Sequence, residues 1–589
     1  MKNTSKLIIL VLLGLLTIFF YSCENTDNHG TIEESSSLQL QETESDEVES
    51  TEYFSEGLDI KVVETPLLHY VGTTLVCDGI VGHCEVTGVG NCTDTDIIIP
   101  PTYNGYPVTR ITDTFQSDNI KSITVSKNVS SVCIKSCSNL ISINVSPDNE
   151  FLKDIDGNLY TNDGKVLIRY ASGKPDNLFE IPTCVVKIEE YAFSNSPNLQ
   201  SVNIPTSVKE IGDRAFLNCS NLSNINIPSS KIGRWCFENC TALKTVSFNG
   251  STIPFHAFDG CISMTSITLG KNVSYINEYA FENCSSLLSI DLSHITHLSN
   301  SAFRNCKNLK NVTLGDQITN IPENTFYGCT SLYDITIPEN VKEISSSAFY
   351  GCTSLKNVTI LRKKTSSNLD KLRINDQSFY GCTALESVTV PNAGLYSIGE
   401  EAFYNCINLK NVNINGQVDN IQRYAFANCK NLSNITMGTS YNEETTFNIN
   451  ADYIEEYAFS GCTKLTNLII DSRKIEKYSF NECIGLKNIN FYDIWTIESY
   501  AFNGCTKLEE VIFGSNVRIM GYAFNGCTRL SEVIFTETDV NPQVYANAFM
   551  KCNNITFTYY EYDNIKFILN FETGWDNGLK KYNMNCIYK

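Results

Sequence analysis

The chain has 589 residues, 42% of them hydrophobic, and a formal net charge of −21 at pH 7. That acidic balance disfavours nucleic acid and anionic membrane as partners of the fold, because both require a basic footprint. Length alone suggests several domains, but internal repeats take precedence over that expectation.

The N-terminus has the layout of an export signal. Lys2 and Lys6 form a short basic region, and the apolar run LIILVLLGLLTIFFYS over residues 7–22 ends at Cys23. Such a run fits a signal peptide over 1–22; an uncleaved membrane anchor, needing about 20 apolar residues, is the alternative. Ser22-Cys23 resembles the lipobox of bacterial lipoproteins, with Phe20 where Leu is commoner. The resemblance implies lipidation of Cys23. Residues 24–60 carry twelve acidic residues and no Lys or Arg. Like charges repel there and little can be buried, so 23–60 reads as a lipidated Cys followed by a disordered acidic tether.

Residues 61–130 read as an N-terminal cap and opening segment. Cys84 and Cys92 flank the turn EVTGVGN and are a candidate disulfide, with Cys77 a competing partner. From 131 to 557 one unit recurs, a Phe followed three residues later by a Cys, as in Phe216/Cys219, Phe281/Cys284 and Phe524/Cys527. Seventeen copies, two of them degenerate, stand mostly 21 to 24 residues apart. Each reads roughly I-x-x-x-A-F-x-x-C-x-x-L-x-x-V-x-I. The second half alternates and predicts a short strand. The first half has room for at most one or two helical turns. One unit cannot bury its own apolar side, but stacked units can. The expected core columns are Phe216, Phe237 and Phe258; Leu199, Leu222 and Leu243; and Val202, Ile225 and Val246.

The L-x-x-V-x-I segment resembles the strand of leucine-rich repeats, and the whole unit is similar to the BspA-like (Treponema-type) leucine-rich repeat family over about 77–557. The segments at 83–110 and 156–174 also resemble the opening segment and the hairpin-bearing repeat of that family. The fold expected is an α/β-type solenoid dominated by short parallel strands, a leucine-rich repeat arc of about seventeen coils. The resemblance implies a bacterial surface protein similar to adhesins that engage host proteins or other cells. Residues 558–589 are expected to cap the array, with Phe567, Ile568, Leu569, Phe571 and Trp575 to cover its end or the neighbouring sheet.

One Cys per coil at a fixed phase predicts a buried structural ladder of Cys219, Cys240, Cys261, Cys284, Cys306, Cys329, Cys352, Cys382, Cys406, Cys429, Cys462, Cys483, Cys505 and Cys527. There is no C-x-x-C pair. His294 and His297 form the one local histidine pair, with no further ligand nearby in sequence, so neither metal nor cofactor is expected. No nucleophile elbow, zinc-protease motif or phosphate loop occurs, and no carboxylate pair stands out, so the chain does not read as an enzyme.

A binding surface remains. The x of V-x-I faces outward on the inner sheet and runs through small polar residues from Asn203 to Thr436, then becomes Ile469, Asn490, Ile512 and Ile534. Asn467, Asn488, Glu510 and Glu532 flank them. An apolar stripe with a polar flank predicts an interface. Strand propensity alone also favours Ile at these positions, and the C-terminal segment has the apolar residues to cover them. The insertion at 361–378 carries Arg362, Lys363, Lys364, Lys371 and Arg373, a candidate basic docking loop or simply a solvated one. The expected function is non-catalytic adhesion or protein binding through the concave face. The partner would be a host or neighbouring-cell protein, with membrane contact through the lipid anchor alone and no nucleic acid. An envelope scaffold without a specific partner is the alternative, and carbohydrate binding ranks below it.

Overall fold

The computed structural model describes residues 54–71, 74–112, 115–228, 231–362, 371–391, 394–438, 448–514, 516–536, 542–545, 547–553, 555–561, 570–571 and 583–588, with the backbone alone for 64–81 and 559–588. Tyr53–Lys589 forms one compact unit.

A repeat of this length satisfies its backbone against copies of itself. The strand half follows its alternation: Asn224–Ile227 reads exposed, buried, exposed, buried. Adjacent coils pair in parallel, Asn224 with Thr245 and Ile225 with Val246, then Thr245 with Ser266 and Val246 with Ile267. A second ladder of two-residue strands, such as Glu210–Ile211 and Lys231–Ile232, runs alongside.

The Phe half corrects the α/β expectation. Among the described residues there is no helix, and the unit is an all-β solenoid of about 19 turns. The cause is visible in the backbone. Residues two before and two after the repeated Phe have positive φ: Arg214 at 53° and Asn218 at 58°, Tyr279 at 56° and Asn283 at 57°, Tyr457 at 58° and Gly461 at 75°. A left-handed residue every four positions stops an α-helix from propagating. The N–H groups leave the coil instead. Phe216 N–H donates to the Cys236 carbonyl at 2.8 Å, Phe237 to Ala257 at 2.8 Å and Phe403 to Ala425 at 2.7 Å. Turns beyond the expected seventeen come from the ends. Asp96–Ile98 and Ser122–Val125 continue the strand ladder on one side, and Thr556–Glu561 and Asn583–Tyr588 on the other.

All the expected columns are buried, none of the nine residues being more than 5% exposed. The Phe rings stack from Phe193 to Phe216, Phe237 and onward to Phe549, with centroids 4.7 to 5.7 Å apart. Burying each ring contributes about 2–3 kcal/mol. The fourteen ladder cysteines are fully buried, and each Sγ donates to the carbonyl of the Phe one coil earlier, at 3.0 Å for Cys219 and 3.3 Å for Cys505. That carbonyl already accepts the Cys N–H of its own coil, as Phe216 does from Cys219 at 3.2 Å. The position therefore takes a small, apolar side chain with one weak donor, which describes a thiol.

At the N-terminal side Asp59–Val71 and Thr74–Gly88 pair antiparallel, and Tyr106–Ile111 joins the second of them in parallel. A separate core, with Val86, Phe115 and Leu140, fills this end. Cys84 and Cys92 are unbridged, and Cys84 Sγ donates to the Tyr103 carbonyl at 3.4 Å. The hairpin Leu152–Ile155/Asn158–Thr161 then leads to Val166–Arg169. Arg169 is buried, its guanidinium donating to the Tyr191 and Ser194 carbonyls and to Ser172 Oγ at 2.7 Å. The Tyr191 carbonyl also accepts the Ser194 N–H at 3.0 Å and the Ser194 carbonyl the Ser172 hydroxyl at 3.1 Å, so Arg169 adds charged donors where the hairpin joins the array.

Candidate functional site: an outward stripe on the strand ladder

The strands Asn467–Asp471, Asn488–Phe491, Glu510–Phe513 and Glu532–Phe535 are adjacent and parallel. Their register puts Ile469 beside Asn490, Asn490 beside Ile512 and Ile512 beside Ile534. The same register aligns Asn467, Asn488, Glu510 and Glu532 as a second row. The three Ile side chains are half-buried and Asn490 is exposed. Upstream the equivalent column is small, polar and exposed from Asn203 to Asn413.

The stripe has two edges. At one, Asn448 Oδ1 accepts the Ile469 N–H at 2.8 Å while its Nδ2 donates to the Ile435 carbonyl at 3.1 Å. Asn448 thus bridges two coils. At the other, Thr558 follows Ile534 in register yet is only 3% exposed, with its hydroxyl 3.3 Å from Glu532 Oε1. The open stretch is therefore four strands wide. The strand Asn583–Tyr588 extends the ladder beyond Thr556–Glu561. Phe567, Ile568, Leu569 and Trp575 lie outside the described residues.

A polar contact runs within the second row. Asn488 Nδ2 donates to Asn467 Oδ1 at 3.0 Å. At the far end of the first strand, burial and the neighbouring Asp493 and Asp452 push the Asp471 carboxyl up to about 6. Beyond it Tyr492 and Trp495 are each 58% exposed, and the Arg473 guanidinium lies 5.5 Å from the Trp495 ring.

The described residues of the basic loop are engaged with neighbouring coils. Arg362 donates to the Val341 carbonyl at 2.9 Å, Lys371 pairs with Asp419, and the Arg373 guanidinium lies 4.8 Å from the Tyr396 ring. Lys363, Lys364 and Cys23 lie outside the described residues. His294 and His297 do not converge. His294 meets the Gly270 carbonyl at 3.1 Å, and His297 stacks on Tyr275 at 4.2 Å. A different group does: His256, Asp259 and Glu282 offer one ligand atom each within 4.8 Å of one another. Sequence reading missed it because the three residues meet by column, two before and one after the repeated Phe, and not by any local motif.

The region 175–556 matches the BspA type leucine rich repeat region family, in segments 175–253, 251–372, 366–447 and 439–556. The chain belongs to that family. It is a leucine-rich repeat protein, a fold that supports a general protein-binding role. Solved structures similar to it include a leucine-rich repeat protein from Eubacterium ventriosum, 27% identical over 46% of this chain and 67% of that one, with a TM-score of 0.35. Another, from Bacteroides ovatus, is 24% identical over 76% and 92% with a TM-score of 0.40. A leucine rich cell surface protein from Faecalibacterium prausnitzii is 23% identical over 67% and 97% with a TM-score of 0.34. No curated protein matches the chain.

Proposed function

We propose that the chain is a bacterial cell-surface adhesion protein. It is anchored by lipid on Cys23, spaced from the surface by the acidic segment 24–60, and binds a protein partner across the inner, concave sheet. The observation that supports this reading is the bounded stripe. Three Ile residues interrupt an otherwise small and polar column on four adjacent strands, between Asn448 and the buried Thr558. A few apolar anchors surrounded by polar groups suit a protein interface, where a small number of residues dominates the energy. A stack held by ladders on successive coils is already ordered, so binding loses little conformational entropy.

The test is saturable binding of residues 24–589 to matrix proteins, cell-surface proteins and glycans, beside a variant with Ile469→Ser, Ile512→Ser and Ile534→Ser together. A protein ligand is expected to bind the native chain and to weaken by about 100-fold or more in the variant, at an unchanged melting temperature. Equal binding by both would remove the stripe while keeping adhesion. Absence of any ligand would favour an envelope scaffold.

A further inference from the structure

The column one residue after the repeated Phe is neutral over most of the solenoid. It holds the stacked Tyr327, Tyr350, Tyr380 and Tyr404, and later the amide ladder Asn481, Asn503 and Asn525. On three successive coils it is acidic: Glu238, Asp259 and Glu282. Neighbouring coils are about 5 Å apart, so the three carboxylates repel one another; Arg304, next in the same column, offsets the charge of Glu282 alone. Glu282 is 8% exposed.

The protein brings an imidazole to the same point. His256 Nδ1 lies 2.8 Å from Asp259 Oδ2. Its ring is held between Tyr279, stacked at 4.6 Å, and Trp235 at 6.1 Å, with Phe255 edge-on at 4.2 Å. This packing fixes the direction of Nδ1. Asp259 is fixed as well, because Asn283 Nδ2 donates to its Oδ1 at 3.1 Å and leaves Oδ2 for the imidazole side. Arg304 donates to Glu282 Oε1 at 2.9 Å and holds that carboxylate from the next coil.

We propose that His256, Asp259 and Glu282 form a binding site for a divalent transition-metal ion of the zinc class. One imidazole nitrogen with carboxylate oxygens suits zinc and its neighbours better than calcium, which takes oxygen ligands. Ligand atoms up to 4.8 Å apart close by about 1.4 Å, and the His256–Asp259 pair at 2.8 Å opens by about 0.6 Å, to reach the separation of about 3.4 Å set by tetrahedral bonds of about 2.1 Å. The His256 and Asp259 side chains, 19% and 14% exposed, leave an entry path. The ion would join consecutive coils, so its effect is a staple and not a reaction.

The experiment uses the full chain, reduced and freed of metal by chelation, titrated with Zn²⁺ by calorimetry and with Co²⁺ by absorption. The variants are His256→Phe, which keeps the aromatic stack, and Asp259→Asn, which keeps the shape. The native chain is expected to bind one equivalent of Zn²⁺ and to melt at a higher temperature with it. Each variant is expected to lose about tenfold or more in affinity, and the Co²⁺ spectrum to show ligand-field bands without a thiolate charge-transfer band. No binding at micromolar Zn²⁺ overturns the proposal, as does unchanged affinity in Asp259→Asn or a thiolate band that places the metal on cysteine. If His256→Phe fails to fold, Asp259→Asn decides alone.

Discussion

Asp471 shows how a single carboxyl can work against its own fold. It ends the strand that carries Ile469, and burial with Asp493 and Asp452 raises it to about 6, above the unfolded value of about 3.9. Between those values the folded state holds the proton more tightly, so the stability this group contributes is present below about pH 4 and is lost as pH rises through 6. Asp471→Asn is therefore expected to raise stability at pH 7.5 by about 1–2 kcal/mol and to change nothing at pH 3.5. Urea denaturation at the two pH values checks it, and an equal effect at both would show that the carboxyl is not desolvated. Nothing in the sequence pointed to Asp471, because its neighbours Asp452 and Asp493 come from other coils. The Ile positions were legible, since alternation fixes which residue of V-x-I faces out. Their limits at Asn448 and Thr558 were not, because both depend on segments that break the repeat.

At the scale of the element, the repeated strand was read correctly and the Phe half was not. Spacing left room for a helical turn, and only the backbone shows why none forms. The two left-handed positions around each Phe are held by Asn or Gly in many coils, but also by Tyr, Arg and Ser, so composition hid the pattern. Glu482 occupies such a position at a φ of 57° and is exposed. A left-handed L-residue costs about 1–2 kcal/mol, and glycine avoids that at some entropic loss. Glu482→Gly is expected to stabilise the protein by about 1 kcal/mol, where the same change at a right-handed surface site would destabilise it. A fall in the denaturation midpoint would contradict the assigned backbone.

At the scale of the molecule the thiol ladder sums. Twelve of its cysteines, from Cys240 to Cys483 in unbroken succession and then Cys527, are pushed above the ordinary thiol range by burial. Their stabilising contribution is complete below the unfolded thiol pKa of about 8.5 and is lost as pH rises towards the folded values. Each thiol exposed by an unfolding step costs about 1.4 kcal/mol per pH unit in that window. Long repeat arrays depart from two-state behaviour, so the slope counts how many coils open together. Denaturant titrations under reducing conditions between pH 8 and 9.5 are expected to show stability falling steeply; a flat profile would mean the thiols ionise as readily folded as unfolded.

The direction of the coil-to-coil hydrogen bonds gives the stack a grain. On the Phe side the coils donate forward, as Phe216 does to Cys236, while at the entry to each strand donors point back, as Lys244 does to Ser223 at 3.0 Å. Cut anywhere, such a stack has two unlike faces, one short of donors and one short of acceptors along the same edge. Like faces of two copies cannot zip together there, whereas unlike faces could polymerise head to tail without limit. Arg169, with its guanidinium seated on the Tyr191 and Ser194 carbonyls, lies inside the stack and not at an end, since Asp96–Ile98 and Ser122–Val125 continue the strand ladder beyond it. The ends must therefore differ from the repeat, as the antiparallel Asp59–Val71 and Thr74–Gly88 pair does, for such a stack to stop growing.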